Sequence, residues 1–357
     1  MWEIAYYYIF LFGLICSYLF VLFFKKIALR FNIVDFPDKE RKTHKYPIPL
    51  LGGVGMFIAY LSTITVNLFL LLYLHQQNLL PQEISLHLAG VFSVLRILSV
   101  LVICTLAMVT VGLIDDLRKI SAKFKLVLEV ILCCILFFNG IKISLFIDNQ
   151  IFQVVLTFFW IIGITNAFNL LDNMDGLCAL TALISSTIFL IWSLISSQIF
   201  MVLILACFCG VLSGFLFFNF PPAKIFMGDA GSLFIGFTLS ILTILNTYYL
   251  PSAKKAIIVI MPLVIMAIPI FDTISVIIIR IKNRKSIFTA DKNHLSHRLI
   301  KKGMSEKQSL AFICLINTCI GLGALMFFWV KMRSGTLILI QAICIVLIIL
   351  IFARMKK

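Results

Sequence analysis

Long apolar runs alternate with short polar breaks along almost the whole chain, and run after run reaches the length of a membrane crossing. About 20 residues at 1.5 Å per residue span the hydrocarbon core of a bilayer, so such runs read as transmembrane helices. The pattern predicts eleven spans, at about 3–24, 50–74, 97–114, 124–140, 153–171, 176–195, 198–218, 231–250, 256–280, 308–330 and 335–353. The expected fold is an all-α polytopic membrane protein, a bundle of about eleven transmembrane helices forming one integral-membrane domain over residues 1–357. The opening "MWEIAYYYIFLFGLICSYLF" has no basic leading region and no small-residue cleavage site, and reads as a retained first helix. Between the runs, residues 141–152 suit a short hairpin.

Composition agrees with this pattern. Hydrophobic residues make up 62% of the chain and charged residues 13%, about half the charged share of a soluble domain. Of the 30 Lys and Arg, 24 fall on the side of the bundle that holds residues 25–49, and 6 on the other. By the positive-inside rule the N-terminus is outside and the C-terminus cytoplasmic. The net charge of +15 then reports topology first, with anionic lipids and anionic substrates as secondary beneficiaries. No exposed basic domain remains for nucleic acid. The ten Cys lie in or beside apolar runs without a Cys-x-x-Cys pair, so they read as small hydrophobes and not as a zinc site or disulfide framework. No inverted repeat of the transporter kind is visible.

The acidic residues set the chemistry apart. Ten of 15 collect in the cytoplasmic segments, among them Asp35, Asp115, Asp116, Asp172, Asp175, Asp229 and Asp291; an eleventh, Asp272, lies in the cytoplasmic half of the ninth span. Carboxylates contribute little to topology, so their gathering needs another cause. In "LIDDLRKISAKFK", Asp115 and Asp116 repel unless a cation or proton sits between them, and Lys119 is spaced either to pair with Asp115 or to hold a phosphate. A solvated helix end with a salt bridge is the plainer reading. In "NAFNLLDNMDGL", helical spacing puts Asn166, Asn169, Asp172 or Asn173, and Asp175 or Gly176 on one stripe. Polar groups at that depth face a cavity or bundle interior; interhelical hydrogen bonding explains the Asn more easily than the two Asp.

In "FNFPPAKIFMGDAGSLFIG", two prolines break the chain, Lys224 supplies a cation, and Gly228 to Ser232 open the eighth span. A glycine-flanked helix N-terminus is an anion site, and Asp229 there makes sense with a Mg2+ that bridges to the anion; simple N-capping is the plainer alternative. In the basic loop 281–307, His294, His297 and Arg298 stand close together, and the surrounding cations favour phosphate over metal. In "VDFPDKERKTHKYPIPLLGG", prolines prevent helix, and Asp35, Arg41, Lys42 and His44 are placed to border the same cavity. Together the clusters point to a phosphorylated, Mg2+-bound molecule meeting something that lives in the membrane.

In this order, "DFPDKERKTHKYPIPLLGG", "GLIDD", "NAFNLLDNMDGL", "PPAKIFMGDAGSLFIG" and "DKNHLSHRL" resemble the polyprenyl-phosphate N-acetylhexosamine-1-phosphate transferases of glycosyltransferase family 4, over about residues 34–300. The resemblance implies a cytoplasmic-face reaction in a bacterial inner membrane, in which a polyprenyl phosphate attacks the β-phosphorus of a UDP-N-acetylhexosamine and UMP leaves. It implies Mg2+ (or Mn2+) on Asp229 and Asn169, and catalytic roles for Asp115, Asp116, Asp172 and Asp175. It also implies substrate contacts from Lys119, Lys224, His294, His297, Arg298 and His44. Whether an aspartate or the lipid phosphate is the nucleophile stays open, and a homodimer is one assembly the sequence permits. Two departures from the family pattern stand out: Asn173-Met174 in place of Gly-Leu, and Ser296 in place of His. The second turns the reading from the UDP-MurNAc-pentapeptide subgroup toward UDP-GlcNAc, with undecaprenyl phosphate as acceptor. A transporter, the competing class, would need ionisable residues deep in several spans, and Glu129 and Asp272 are the main candidates.

Overall fold

In a bilayer every backbone N–H and C=O must be satisfied within the protein, so apolar runs of this length fold as helices. The computed structural model describes residues 2–37, 46–85, 87–145, 147–248, 259–287, 291–329 and 332–354. In chain order they form α1 (Trp2–Arg30), β1 (Val34–Asp35), β2 (Ile48–Pro49), α2 (Gly52–Gln76), α3 (Gln82–Ser85), α4 (Leu88–Arg118) and α5 (Ala122–Phe138). Then follow α6 (Gln150–Leu171), α7 (Leu177–Ile195), α8 (Ile199–Asn219), α9 (Gly228–Leu245), α10 (Met261–Ile265), α11 (Ala267–Lys282), α12 (Leu295–Lys301), α13 (Glu306–Leu325) and α14 (Met332–Arg354). The chain is an all-α polytopic membrane protein.

Among the described residues, eight helices are long and apolar enough to cross a membrane. The other three expected spans fall on shorter or broken helices. The segment at 124–140 is α5, 17 residues bounded by the Ser121 N-cap and Asn139. That at 256–280 is α10 and α11, divided at Met266. The Pro269 ring cannot donate to the carbonyl of Ile265 and crowds it, which accounts for the break. The last is the apolar stretch Gly335–Ile351 of α14. The hairpin suited to 141–152 does not form: among the described residues the only sheet pairs Val34 with Pro49 and Asp35 with Ile48. Thr157 Oγ1 takes the Ile143 N–H (2.9 Å) instead, folding that loop onto α6.

The bundle is organised around α9, in which every residue from Ala230 to Thr243 is buried. A helix that is apolar all round belongs in the middle. Glycines let its neighbours come close, as small residues do between membrane helices. A Cβ on Gly53 of α2 would lie 2.1 Å from the Gly231 nitrogen, and one on Gly112 of α4 would lie 2.5 Å from the Ala230 Cα. The loops leading into α2 and α9 are laced together: Phe226 N–H donates to Pro49 O (2.9 Å), Gly52 N–H to Phe226 O (3.0 Å) and Gly53 N–H to Met227 O (3.0 Å). The N-terminus of α9 is thereby fixed between α2 and the C-terminal turn of α4.

Candidate active site

The last turn of α4 presents Asp115 and Asp116 in different directions, and α9 explains why. Asp116 Oδ1 accepts the Asp229 N–H (2.7 Å) and Oδ2 the Ala230 N–H (3.1 Å). A carboxylate on the positive end of a helix satisfies N–H groups that have no partner within the helix. Gly228 has φ +67°, and a Cβ there would lie 2.4 Å from Asp116 Oδ2, so glycine answers both the turn and the close approach. The anion expected at this helix start is thus the protein's own Asp116, which occupies the first N–H groups that a substrate phosphate would use.

Asp115 Oδ1 accepts the Ile120 N–H (2.6 Å), and its Oδ2 meets Lys125 Nζ at 2.6 Å. The same ammonium stands 2.8 Å from Asp229 Oδ2. The cation wanted between the carboxylates is therefore Lys125, on the first turn of α5. Lys119, the expected partner of Asp115, caps α4 with φ +47°, and its side chain is exposed. Sequence spacing missed Lys125 because the helix ends and restarts between it and Asp115. Its one visible signal is a lysine set inside an apolar helix start.

The polar stripe of residues 166–176 does not persist as a stripe, since α6 ends at Leu171 and the side chains reach different elements. Asn166 Nδ2 donates to Glu129 Oε2 (2.7 Å), an interhelical tie that also accounts for one of the two in-span acids a transporter would use. Asn169 Nδ2 donates to Ser232 Oγ (3.0 Å), which in turn donates to the Asp229 carbonyl (3.4 Å), so the amide is tied to the first turn of α9 and its own carbonyl oxygen is not used in that bond. Asp175 Oδ2 accepts the Ala223 N–H (2.8 Å) and holds the Pro221–Pro222 loop. Asn219 seals the same corner, accepting the Gly176 N–H (3.0 Å) and donating to Ile225 O (3.0 Å). Asp172 lies in the turn after α6. Burial and the charges of Asp229, Asp116 and Asp175 push its carboxyl up to about 8.

On the other flank, Asp272 of α11 holds His294: Oδ2 lies 2.8 Å from Nδ1, and Oδ1 accepts the Leu295 N–H (2.6 Å), both side chains buried. Arg298 Nη2 donates to Ser275 Oγ (2.9 Å). Burial lowers the pKa of His297, helped by His294, Lys292 and Lys301, so it is neutral at pH 7. Buried Arg280 pairs with Asp291 (3.2 Å) and folds the basic loop back on α11; that pair and the Asn293 amide hold Asp291 below the ordinary carboxylate range. Lys224 is exposed on the Pro loop, and His44, with Arg41 and Lys42, lies outside the described residues. An apolar cavity of about 350 Å3, lined by residues such as Ile9, Leu71, Leu95 and Phe200, sits toward the opposite end of the bundle and has no Asp, Glu, Lys or Arg.

Among the described residues no three His, Cys, Asp or Glu groups converge as a ready metal cage. The donor chemistry nonetheless suits a hard cation. Asp115 and Asp229 share the Lys125 ammonium, Asp116 is bound to the Asp229 N–H, Asp172 feels the charges of Asp229 and Asp116, and Asn169 reaches the start of α9 through Ser232.

A family model described as Glycosyl transferase family 4 matches residues 98–247, which contain all of these carboxylates. The chain is 31% identical, over 91% of its length and 84% of the other protein, to a Bacillus subtilis protein named a probable undecaprenyl-phosphate N-acetylglucosaminyl 1-phosphate transferase. It is 26% identical, over 93% of its length and 84% of the relative, to a decaprenyl-phosphate N-acetylglucosaminephosphotransferase of Mycolicibacterium smegmatis. A phospho-N-acetylmuramoyl-pentapeptide-transferase of Streptococcus pyogenes is 30% identical over 58% of this chain and 62% of its own.

Proposed function

This chain belongs to glycosyl transferase family 4, and from that premise we propose that it transfers N-acetylglucosamine 1-phosphate from UDP-N-acetylglucosamine to undecaprenyl phosphate. The observation that carries this reading is the carboxylate cluster bridged by Lys125, at one end of an apolar bundle, in a chain similar over nine-tenths of its length to a protein named for that activity. The site lies at the basic end of the bundle, which supports a cytoplasmic active site, an outside N-terminus and a bacterial inner-membrane location. Adding α5, the broken α10–α11 pair and α14 to the eight long helices supports eleven crossings.

In the proposed reaction an oxygen of the lipid phosphate attacks the β-phosphorus of the donor. The bond from that phosphorus to the bridging oxygen breaks, and UMP leaves. Such transfers rest on positioning and on neutralising charge. Asp229 and the Asn169 carbonyl would hold Mg2+ or Mn2+, which supplies that neutralisation at the diphosphate when bound. Asp116 aims Asp229 by locking the start of α9, and Lys125 keeps Asp115 and Asp229 from repelling one another. Asp172 exchanges a proton near neutral pH and is the group assigned to the incoming lipid phosphate. Asp272 orients His294, while His297 as a neutral hydrogen-bonding group, Arg298 and the exposed Lys224 face the donor. Asp175 serves by shaping the loop.

The test is a donor panel with the purified protein, undecaprenyl phosphate and Mg2+, with folded Asp229→Asn as the blank. UDP-N-acetylglucosamine is expected to release UMP and yield a lipid diphosphate of the matching mass, with the variant at about 1% or less. No UMP from any UDP-hexosamine overturns the reading. Preference for UDP-MurNAc-pentapeptide in direct competition assigns the sister reaction instead.

A further inference from the structure

The two positions at which the sequence departs from its family pattern are 123 residues apart and touch. Ser296 Oγ donates to Asn173 Oδ1 in a short hydrogen bond. The amide is fixed for this purpose, because Asn173 Nδ2 is held by Leu170 O (2.8 Å), leaving the oxygen to accept. Ser296 is 1% exposed, and its own carbonyl takes the Ser309 hydroxyl (3.2 Å), so the residue is enclosed on more than one side.

The bond links the two halves of the site. Asn173 sits next to Asp172, in the turn that carries Asp172 and Asp175. Ser296 lies on α12 between His294 and the pair His297 and Arg298. Besides the Ser296 carbonyl bond to Ser309 on α13, ties of α12 run to α11, from His294 and Leu295 to Asp272 and from Arg298 to Ser275. The Ser296 hydroxyl thus joins the histidine–arginine helix to the carboxylate turn. We propose that the Asn173–Ser296 hydrogen bond is a positioning device that sets α12 at its working distance from the Asp172 turn, and that the two residues form a matched pair. The proposal rests on the transfer reaction proposed above.

The matching follows from the enclosure. With glycine at 173, the hydroxyl of Ser296, a residue only 1% exposed, loses its acceptor, and an orphaned buried polar group is costly. With histidine at 296, a ring must enter a space that now holds a hydroxyl and the Asn173 amide, an overpacked arrangement. Each usual family residue therefore conflicts with the partner present here, and replacing both relieves both conflicts. Residues that meet in this way are expected to be strongly non-additive.

Steady-state kinetics of Asn173→Gly, Ser296→His and the double variant test the proposal, with melting temperature as the check on folding. Each single change should lower kcat/KM for the UDP-sugar about tenfold or more, chiefly by raising donor KM, while the KM for lipid phosphate stays within about twofold. The double variant should recover to within about threefold of the starting protein. Ser296→Ala, which adds no bulk, should reproduce the donor KM defect, and Ser296→Thr, which keeps the hydroxyl, should not; this pair carries the test if Ser296→His fails to fold. Single variants with unchanged donor KM, or a double variant whose loss is the product of the two single losses, overturn the proposal alone. A starting protein that transfers nothing overturns the functional reading and this proposal with it.

Discussion

At the scale of single residues the site is decided by which cation stands between Asp115 and Asp229. Lys125 lies 2.6 and 2.8 Å from them, while Lys119 is exposed. Removing one member of a largely enclosed ion pair leaves uncompensated charge, whereas an exposed lysine contributes little. Lys125→Ala should lower transfer by about tenfold or more, and Lys119→Ala should stay within about twofold; equal effects in the UMP-release assay would refute this division of roles. Asp172 offers a second residue-scale reading. Its carboxyl is raised from 3.8 to about 8 in the folded protein, so the native state binds the proton more tightly than the unfolded chain. By linkage, stability is fullest below pH 4, declines as pH rises toward 8 and is level beyond it. In EDTA, Asp172→Asn should therefore melt about 5 °C above the starting protein at pH 9 and show no gain near pH 4. A gain that grows toward low pH would contradict the assignment. The residue types of the site were legible in the sequence: Asp115, Asp116, Asp172, Asp229 and Asn169 do assemble. Their partners were not, because Lys125, Ser232 and Asp272 come from other helices and no spacing rule connects them.

At the scale of elements the site depends on how closely α2 and α4 can approach α9. Gly53, Gly112 and Gly231 stand in the motifs "LLGG", "GLIDD" and "GDAG", and the sequence singles out only the last, as part of a glycine-flanked helix start. Gly53, Gly112 and Gly231 are mainly points of helix contact. A side chain at Gly53 would meet backbone at 2.1 Å, whereas one at Gly163 of α6 meets nothing within 4 Å. Gly53→Val should lower the melting temperature by about 5 °C or more, with activity lost as α9 is displaced from Asp116. Gly163→Ala should melt within about 2 °C of the starting protein. Comparable losses at both glycines would sink the contact argument. The same scale explains the shortfall in long helices. Hydrophobicity marked α10–α11 as one run, but Pro269 divides it, and a run of apolar residues carries no record of where the backbone bends.

For the whole molecule the consequence is polarity. The C-terminal ends of α4 and α6, the N-termini of α5 and α9, and α12 all contribute to one end of the bundle, which is also the basic end. If that end faces the cytoplasm, a water-soluble, membrane-impermeant maleimide should label Asn78→Cys in intact cells, and Lys224→Cys only in inverted vesicles. Labelling of Lys224→Cys in intact cells would reverse the proposed orientation. Phosphoryl transfer between a soluble nucleotide sugar and a bilayer lipid needs this gathering of charge at a boundary, and the apolar cavity near the other end supplies none of it.

By itself the sequence determined that this is a helical membrane protein, that its acids collect at one face, and which motifs hold them. Those properties follow from hydrophobic length, charge bias and local spacing, each written in consecutive residues. Only the tertiary structure decided that Asp116 fills the α9 N-terminus, that Lys125 and not Lys119 bridges the carboxylates, and that the "NAFNLLDNMDGL" stripe fans out at Leu171. It also showed that the two unexplained residues, Asn173 and Ser296, hold one another. The physical reason is common to all four: a hydrogen bond or ion pair is settled within about 3 Å, and the partners here are brought together by helix packing that no local pattern encodes.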